Sequence, residues 1–327
     1  MTFAKSKKYL KKIVESSVYD VADITPLSPA GHLSKETKNN IFLKREDLQP
    51  IFSFKLRGAY NKISHLKKLG KVERVITASA GNHAQGVAYS AKKLRLKASI
   101  VMPVTTPSIK VSAVKNLGAQ VILVGDTYDE AYEHAIKLSK KPNYAFVHPY
   151  DDPDVIAGQG TIGKEILDQA GKDLDAVFVP VGGGGLLAGI GAYIKNLRPD
   201  VKIIGVEPEE AAGLYEAIKA NRRVTLKQVG LFVDGVAVKQ VGKVTFPIIN
   251  EWVDEVVTVS VDEICAAIED IFHETRTISE PAGALSLAGL KKLTKSKGWK
   301  NKNLVAINSG ANINFDRLSH IVERVQL

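Results

Sequence analysis

Asp175-Ala-Val-Phe-Val-Pro-Val181-Gly182-Gly183-Gly184-Gly185-Leu186-Leu187-Ala188-Gly189 decides the fold. An apolar run rich in valine ends in four consecutive glycines, and a helical pattern follows from Leu186 to Leu197. The run reads as a strand over Asp175 to Val181. Four glycines let backbone N–H groups curl around an anion without interference from Cβ atoms. The helix N-terminus that follows adds a dipole favourable to phosphate. A plain strand-to-helix turn needs one glycine; four in succession favour a phosphate site.

The same alternation extends along the chain. Val75-Ile-Thr77 reads as a strand before a helix over His83 to Leu94, Ala98 to Met102 as a strand before a helix over Pro107 to Leu117, and Gln120 to Val124 as a strand before a helix over Asp126 to Lys140. Ala145 to His148, Ala176 to Val181, Ile203 to Val206 and Leu304 to Ile307 repeat the strand signal. Continuous Val/Ile runs suit parallel strands buried on both faces. Strand–helix alternation predicts an α/β architecture with parallel sheets. No internal repeat and no linker rich in Pro, Gly or Ser divides the chain, so any division into lobes must come from the chain crossing between sheets.

Composition narrows the function classes. The 327 residues suit one large α/β unit or two lobes, and 45% hydrophobic with 24% charged residues supports an ordinary soluble core. Lys and Arg total 45 against 35 acidic residues, a net charge of +10. The basic residues fall in scattered pairs, densest from Lys5 to Lys12 on one face of an N-terminal helix, with no aromatic-interleaved stripe. That pattern reads as solvated surface rather than a nucleic-acid interface. The single cysteine, Cys265, excludes an intrachain disulfide and a thiolate zinc site, and its helix-like apolar setting makes it a core residue. No apolar run reaches the ~20 residues of a membrane span, and Met1 to Asp20 lacks the apolar stretch of a secretory signal. A cytoplasmic protein with neither membrane nor nucleic-acid partner is expected.

Ligands of open α/β sheets bind at the carboxyl ends of strands, and further segments stand there. In Thr77-Ala-Ser79-Ala80-Gly81-Asn82-His83-Ala-Gln-Gly86, Ser79 or Asn82 caps the following helix, or the small residues and Asn82 wrap a carboxylate; spacing leaves both readings open. Phe52-Ser-Phe54-Lys55-Leu56-Arg57-Gly-Ala59 sets a lysine between apolar neighbours. Desolvation there lowers a lysine pKa and suits Schiff-base chemistry, although a lysine stem laid on a core has the same signature. In Ala306-Ile-Asn-Ser309-Gly-Ala-Asn312, Ser309 offers a hydroxyl to a ring nitrogen or is a turn serine. Gly158-Gln-Gly160-Thr-Ile-Gly163 matches GxGxxG but follows a turn-like Pro149 to Pro153, and Glu165 replaces the Ser/Thr of a P-loop, so it reads as a helix with small residues for close packing. His148 and His273 have no metal-ligand partners at useful spacing.

In order, Lys44-Arg-Glu-Asp47, Ser53-Phe-Lys-Leu-Arg-Gly-Ala59, the segment Thr77 to Gly86, Val179-Pro-Val-Gly-Gly-Gly-Gly-Leu186, Asp234-Gly-Val-Ala-Val-Lys239, Glu280-Pro-Ala-Gly-Ala284 and Asn308-Ser-Gly-Ala-Asn312 resemble the fold-type II pyridoxal-phosphate enzymes (tryptophan synthase β-like). Within that group the resemblance is to biosynthetic threonine dehydratases (threonine ammonia-lyases), and it runs from about Val18 onward. It implies two lobes, each a mainly parallel sheet flanked by helices: residues 1–47 plus 151–327 form a large cofactor-binding lobe and 48–150 a small lobe. No C-terminal regulatory domain, and hence no isoleucine feedback, is expected.

The resemblance also implies the site. Pyridoxal 5′-phosphate is held through the amine of Lys55, with Phe54 packed near its ring and Gly235 bordering it. Gly182, Gly183, Gly184, Gly185 and Leu186 give N–H groups to its phosphate. Asn82 bonds its 3-hydroxyl and Ser309 its pyridine nitrogen, while Ser79, Ala80, Gly81 and His83 cradle the carboxylate of a small amino-acid substrate. The implied reaction turns L-threonine into 2-oxobutanoate and ammonia, the first step toward isoleucine, and L-serine into pyruvate, in a homodimer or homotetramer. Lys55 takes the α-proton, and Ser309 in place of a carboxylate favours fast β-elimination over transamination. Two departures matter. Ala80 stands where racemases carry a second serine, which argues against racemisation. Gly213 stands where metal-binding members carry an Asp after Glu207 and Glu210, so no divalent metal site is expected. The alternatives are another fold-type II lyase acting mainly on serine, and a non-enzymatic protein holding a different phosphate ligand in the glycine loop.

Overall fold

The computed structural model describes residues 3–70 and 72–325. Along the chain run β1 (Leu27–Pro29), β2 (Asn40–Arg45), β3 (Arg74–Ala78), β4 (Lys97–Met102), β5 (Gln120–Leu123), β6 (Tyr144–Phe146), β7 (Ala176–Pro180), β8 (Lys202–Pro208), β9 (Glu255–Val259) and β10 (Asn303–Asn308). They form a six-stranded sheet in the order β1-β2-β10-β7-β8-β9 and a four-stranded sheet in the order β5-β4-β3-β6. Every pairing is parallel except β1 with β2. The architecture is α/β with parallel sheets, as the alternation of strand and helix signals predicts, and the two sheets are those that the family resemblance implies.

The period of two along the strands sorts their side chains into separate cores. On one face of the larger sheet, Ala176, Phe178, Ile204, Val206, Leu304 and Ala306 meet the helices Val261–Thr275 and Pro281–Lys297. On the other, Val177, Val179, Ile203, Val305 and Ile307 meet the helices Pro153–Ala170 and Gly185–Leu197. The smaller sheet is treated alike: Val75, Ile100 and Met102 pack on the helices Lys55–Lys68 and Asn82–Lys93, and Ile76, Ala78 and Val101 on the helix Tyr128–Ser139. Cys265 is buried in the first of these cores.

Local chemistry sets the ends. Thr127 with Glu130 and Ser260 with Glu263 form capping boxes that start their helices. Pro107 lies one residue ahead of the helix Ser108–Asn116 rather than inside it. The strand expected over Ala145 to His148 stops at Phe146, because the His148 ring turns back to its own chain: its Nδ1 accepts from the N–H of Tyr150 (3.2 Å) and Asp151 (2.8 Å). In the helix Phe3–Val14, Ile13 is buried, Lys8 and Lys11 are exposed and Lys12 pairs with Asp154; the side chains of Lys5 and Lys7 lie outside the described residues.

The stretch Gly158 to Gly163 is a packing seam. A Cβ on Gly158 would lie 2.6 Å from the carbonyl oxygen of Arg57, and one on Gly160 2.9 Å from that of Gly189. The glycines therefore let the helix Pro153–Ala170 lie directly on the backbones of its two neighbours.

Beside this seam is a buried ion cluster. Lys44 Nζ donates to Glu165 Oε2 (2.6 Å) and to the Thr25 carbonyl (2.6 Å). Arg57 donates to both Glu165 (Nη1 to Oε1, 2.6 Å) and Glu46 (Nε to Oε2, 2.8 Å). Burial opposes the charge on Glu46, and the Arg57 guanidinium overrides it, holding the carboxyl below its ordinary range. Two cations and two anions thus balance inside the protein, which ties β2, the helix Lys55–Lys68 and the helix Pro153–Ala170 into one frame. Replacing Glu165 by leucine leaves Lys44 and Arg57 facing one carboxylate. A loss of about 3–5 kcal/mol is expected in urea unfolding; a loss below about 1 kcal/mol would mean the cluster holds nothing in place.

Candidate active site

The carboxyl ends of β3, β7 and β10 bring the sequence's glycine- and serine-bearing turns together. Lys55 opens the helix Lys55–Lys68, and the segment before it is sewn to the end of β10. Ser53 bridges Gly310 in antiparallel fashion, Phe54 N–H donates to the Ser309 carbonyl (3.2 Å), and Ala311 N–H donates to the Phe52 carbonyl (2.9 Å). On its other side, Gly86 lets the helix Asn82–Lys93 approach so closely that a Cβ there would lie 3.1 Å from the Lys55 carbonyl oxygen. Lys55 is therefore held by its backbone between the ends of β3 and β10.

Its amine reaches the Pro149 carbonyl at 3.4 Å and lies 5.1 Å from the Phe54 ring centroid. Burial lowers its pKa to about 8, against the opposing pull of the Glu280 carboxylate. Near neutrality an appreciable fraction is the free amine, a nucleophile and a base.

The tetraglycine turn after β7 shows why it must lack side chains. A Cβ on Gly183 would meet the Tyr150 ring at 2.2 Å, and one on Gly184, which has φ +91°, would meet Ile249 at 2.6 Å. Val236 closes on Gly182 (3.1 Å) and the Tyr150 backbone on Gly185 (3.0 Å). Among the described residues, no protein acceptor meets the N–H groups of Gly182, Gly183, Gly184, Gly185 or Leu186. A buried donor left unpaired costs about 1–3 kcal/mol. Five such donors at a helix start fit a phosphate dianion.

Asn82 is the first residue of its helix, and its side chain does not cap it. Its Nδ2 donates to Glu280 Oε1 (2.6 Å), and its Oδ1 accepts from Asn312 Nδ2 (2.7 Å). Ser79 Oγ accepts from Gly81 N–H (3.3 Å), with Ala80 between them half-buried. His83 Nε2–H donates to the Val147 carbonyl (3.0 Å). Burial, with the Lys55 charge adding to it, lowers the His83 pKa to about 3, so the ring is neutral and turned away. What His83 offers the loop is its backbone N–H at a helix start. Ser309 is 3% exposed, and its Oγ donates to the Ala282 carbonyl at 3.2 Å, a long bond that leaves the hydroxyl free to turn. Gly235 faces Ala282 and Glu280, at 2.8 and 3.8 Å from its would-be Cβ. All the site residues expected from the sequence thus line this junction or the turns entering it.

The chain matches the pyridoxal-phosphate dependent enzyme family over residues 19–310. It belongs to that family. A relative named L-threonine dehydratase biosynthetic IlvA, from Burkholderia multivorans, is 53% identical over 98% of this chain and 64% of its own length. The chloroplastic biosynthetic threonine dehydratase of Arabidopsis thaliana is 55% identical over 98% of this chain and 54% of its own length. The solved structure of the processed form of threonine deaminase isoform 2 from Solanum lycopersicum superposes with a TM-score of 0.97 at 48% identity, covering all of this chain and 90% of that one. The chain spans between half and two thirds of the length of these curated relatives.

Pyridoxal phosphate, the cofactor of the family, fits the residues present: the N–H groups without protein acceptors suit its phosphate, and the Lys55 amine suits its aldehyde. Glu207 has both carboxylate oxygens on the N–H groups of Leu214 and Tyr215, each at 2.8 Å. Among the described residues no group of three His, Cys, Asp or Glu side chains is placed to hold a metal ion.

The role of the turn from Val147 to Asp151 is not visible in the sequence, which reads as a strand up to His148 and as turn-like from Pro149 to Pro153. Val147 and Pro149 supply the carbonyls that hold His83 and Lys55, and Tyr150 walls the glycines. Asp151 accepts from the N–H groups of Lys243 (2.9 Å) and Val244 (2.7 Å), and Thr245 Oγ1 donates to the Gly183 carbonyl (2.8 Å). The proline, histidine and paired aspartates of this turn were its only signal. Gly183→Ala must displace the Tyr150 ring, whereas a Cβ on Gly81 meets nothing within 4 Å. Equilibrium dialysis of pyridoxal phosphate should show at least about a tenfold loss of affinity for Gly183→Ala, or 1.4 kcal/mol, and little loss for Gly81→Ala. Equal affinities would remove the glycine turn from the cofactor site.

Proposed function

We propose that this chain catalyses the conversion of L-threonine to 2-oxobutanoate and ammonia, and of L-serine to pyruvate and ammonia. The observation that carries the reading is the convergence of a lysine with a lowered pKa and five N–H groups without protein acceptors at the junction of two sheets, in a chain similar throughout to relatives named threonine dehydratase. When bound, the cofactor supplies an electron sink for the pair left on Cα when its proton departs. The chain's own groups do the rest. Gly182 to Leu186 would hold the cofactor's phosphate, Asn82 its ring oxygen and Ser309 its ring nitrogen, with Phe54 and Gly235 beside the ring.

The substrate carboxylate lies on Ser79, Ala80, Gly81 and the N–H of His83. Lys55 takes the α-proton on its amine, the β-hydroxyl leaves as water, and ammonia follows after hydrolysis, so that threonine yields 2-oxobutanoate plus ammonia with no net water. Ala80 carries no exchangeable proton for the opposite face of Cα, which supports elimination over racemisation. Ser309, uncharged, does not hold a ring nitrogen protonated, which again supports elimination. The larger sheet with residues 1–47 and 151–327 is taken as the cofactor lobe and residues 48–150 as the small lobe. The reaction is placed at the head of isoleucine synthesis, in the cytoplasm, in a homodimer or homotetramer. No helix among the described residues is long and apolar enough to cross a membrane.

The test is oxo-acid release from threonine and from serine by the holoprotein. Lys55→Ala should lower turnover by about 10³-fold or more, since it removes both the base and the anchor. Turnover with serine alone would turn the reading to a serine lyase, and undiminished turnover by Lys55→Ala would refute it.

A further inference from the structure

Glu280 has no task in the reaction just described, yet it sits at the heart of the site. It is 7% exposed and immediately precedes the helix Pro281–Lys297. Its backbone is fixed by its N–H donating to the Gly310 carbonyl (3.1 Å). Gly310 makes room for its carboxylate: a Cβ there would lie 2.5 Å from Oε1.

The bonds around it determine which way Asn82 points. Asn312 Nδ2 donates to the Ile51 carbonyl (2.8 Å) and to Asn82 Oδ1 (2.7 Å). A carbonyl can only accept, so the Asn312 atom facing Ile51 is its nitrogen. The Asn82 atom facing that nitrogen is then an oxygen. The other end of the Asn82 amide is Nδ2, and one of its two hydrogens goes to Glu280 Oε1 at 2.6 Å. The second hydrogen has no protein acceptor among the described residues. The clamp removes the amide flip that would present an oxygen, and so repulsion, to an oxygen of a ligand.

The charges about Glu280 are sparse. Asp234 faces it from the turn Asp234–Val236, Lys55 from its own helix, and the Asn312 N–H from the loop after β10. Lys110, from the helix Ser108–Asn116, is already paired with Asp234 (2.7 Å), which Arg317 also approaches (3.9 Å). Burial, reinforced by the Asp234 charge, raises the Glu280 pKa to about 7, with the Asn82 bond pulling it down. A carboxyl kept at this electrostatic cost without a cation of its own is accounted for by the amide it grips.

We propose that Glu280 is a positioning residue for the cofactor, clamping Asn82 so that its free amide hydrogen faces the ring's 3-hydroxyl oxygen. The proposal rests on the reading of Asn82 given under the proposed function. It is tested by titrating the apoprotein with pyridoxal 5′-phosphate and with its 3-deoxy analogue, which lacks that oxygen. The wild type should prefer the hydroxylated cofactor. Glu280→Met, of similar length but with no strong acceptor, should cut that preference about tenfold. Glu280→Gln, which offers an oxygen to Asn82, should keep it within about twofold. Asn82→Ala should abolish it, and adding Glu280→Met to Asn82→Ala should cost nothing further in preference. Glu280→Ala gives the same reading should the methionine variant not fold. Equal weakening of both compounds by Glu280→Met and Glu280→Ala, or a preference that these two leave unchanged, overturns the proposal while leaving the cofactor site standing. A wild type that takes up neither compound brings down the functional reading and the proposal together.

Discussion

Burial of the Lys55 amine at the junction of two sheets is the constraint on which the rest of the structure turns. A lysine in such a place loses hydration, and its pKa falls to about 8. Its backbone cannot wander, because the residues before it form a bridge with the end of β10, and a glycine of the next helix presses on it. Two residues further on, Arg57 anchors the same helix in the buried ion cluster. The start of the helix that carries the reactive group is thus positioned by main-chain bonds and by buried ions.

The sheets supply the remaining parts from a single geometrical rule. Parallel strands with short turns at their carboxyl ends place backbone N–H groups and small side chains in one layer. In the larger sheet, β7 sits between β10 and β8, so the glycine turn and Ser309 are neighbours although they lie far apart in sequence. The smaller sheet contributes the turn after β3, carrying Ser79 to Asn82. The crossing turn from Val147 to Asp151 joins the two and closes over the glycines. Asn82, Glu280 and Asn312 form a hydrogen-bonded chain across that junction.

Where apolar periodicity or glycine runs carry the information, the sequence is legible. The strands from Val75 to Leu123 and those at Ala176, Ile203 and Leu304 are found with ends shifted by a residue or two, and the small residues of Gly158 to Gly163 are read correctly as packing. β2 is not marked as a strand because its last residues, Lys44 and Arg45, carry charges that normally face water. Their partners include Glu165, 121 positions from Lys44, and no local pattern announces them. β9 is only half-buried at the sheet edge, and its Glu-Val-Val-Thr-Val run, as long as β3 and β7, is not marked as a strand either. Asn82 is ambiguous from spacing, because a cap and a ligand contact use the same residue at the same place; its bonds to Glu280 and Asn312 rule out the cap. Tyr150 is silent in sequence, since its role is to fill the space above Gly183.

The Lys55 amine is expected to carry the cofactor through a covalent imine. Borohydride reduction of the holoprotein, followed by proteolysis and mass measurement of the peptides, locates that link directly. The account predicts a phosphopyridoxyl group on the peptide carrying Lys55. A modified peptide bearing a different lysine, or the recovery of every lysine unmodified, would contradict it.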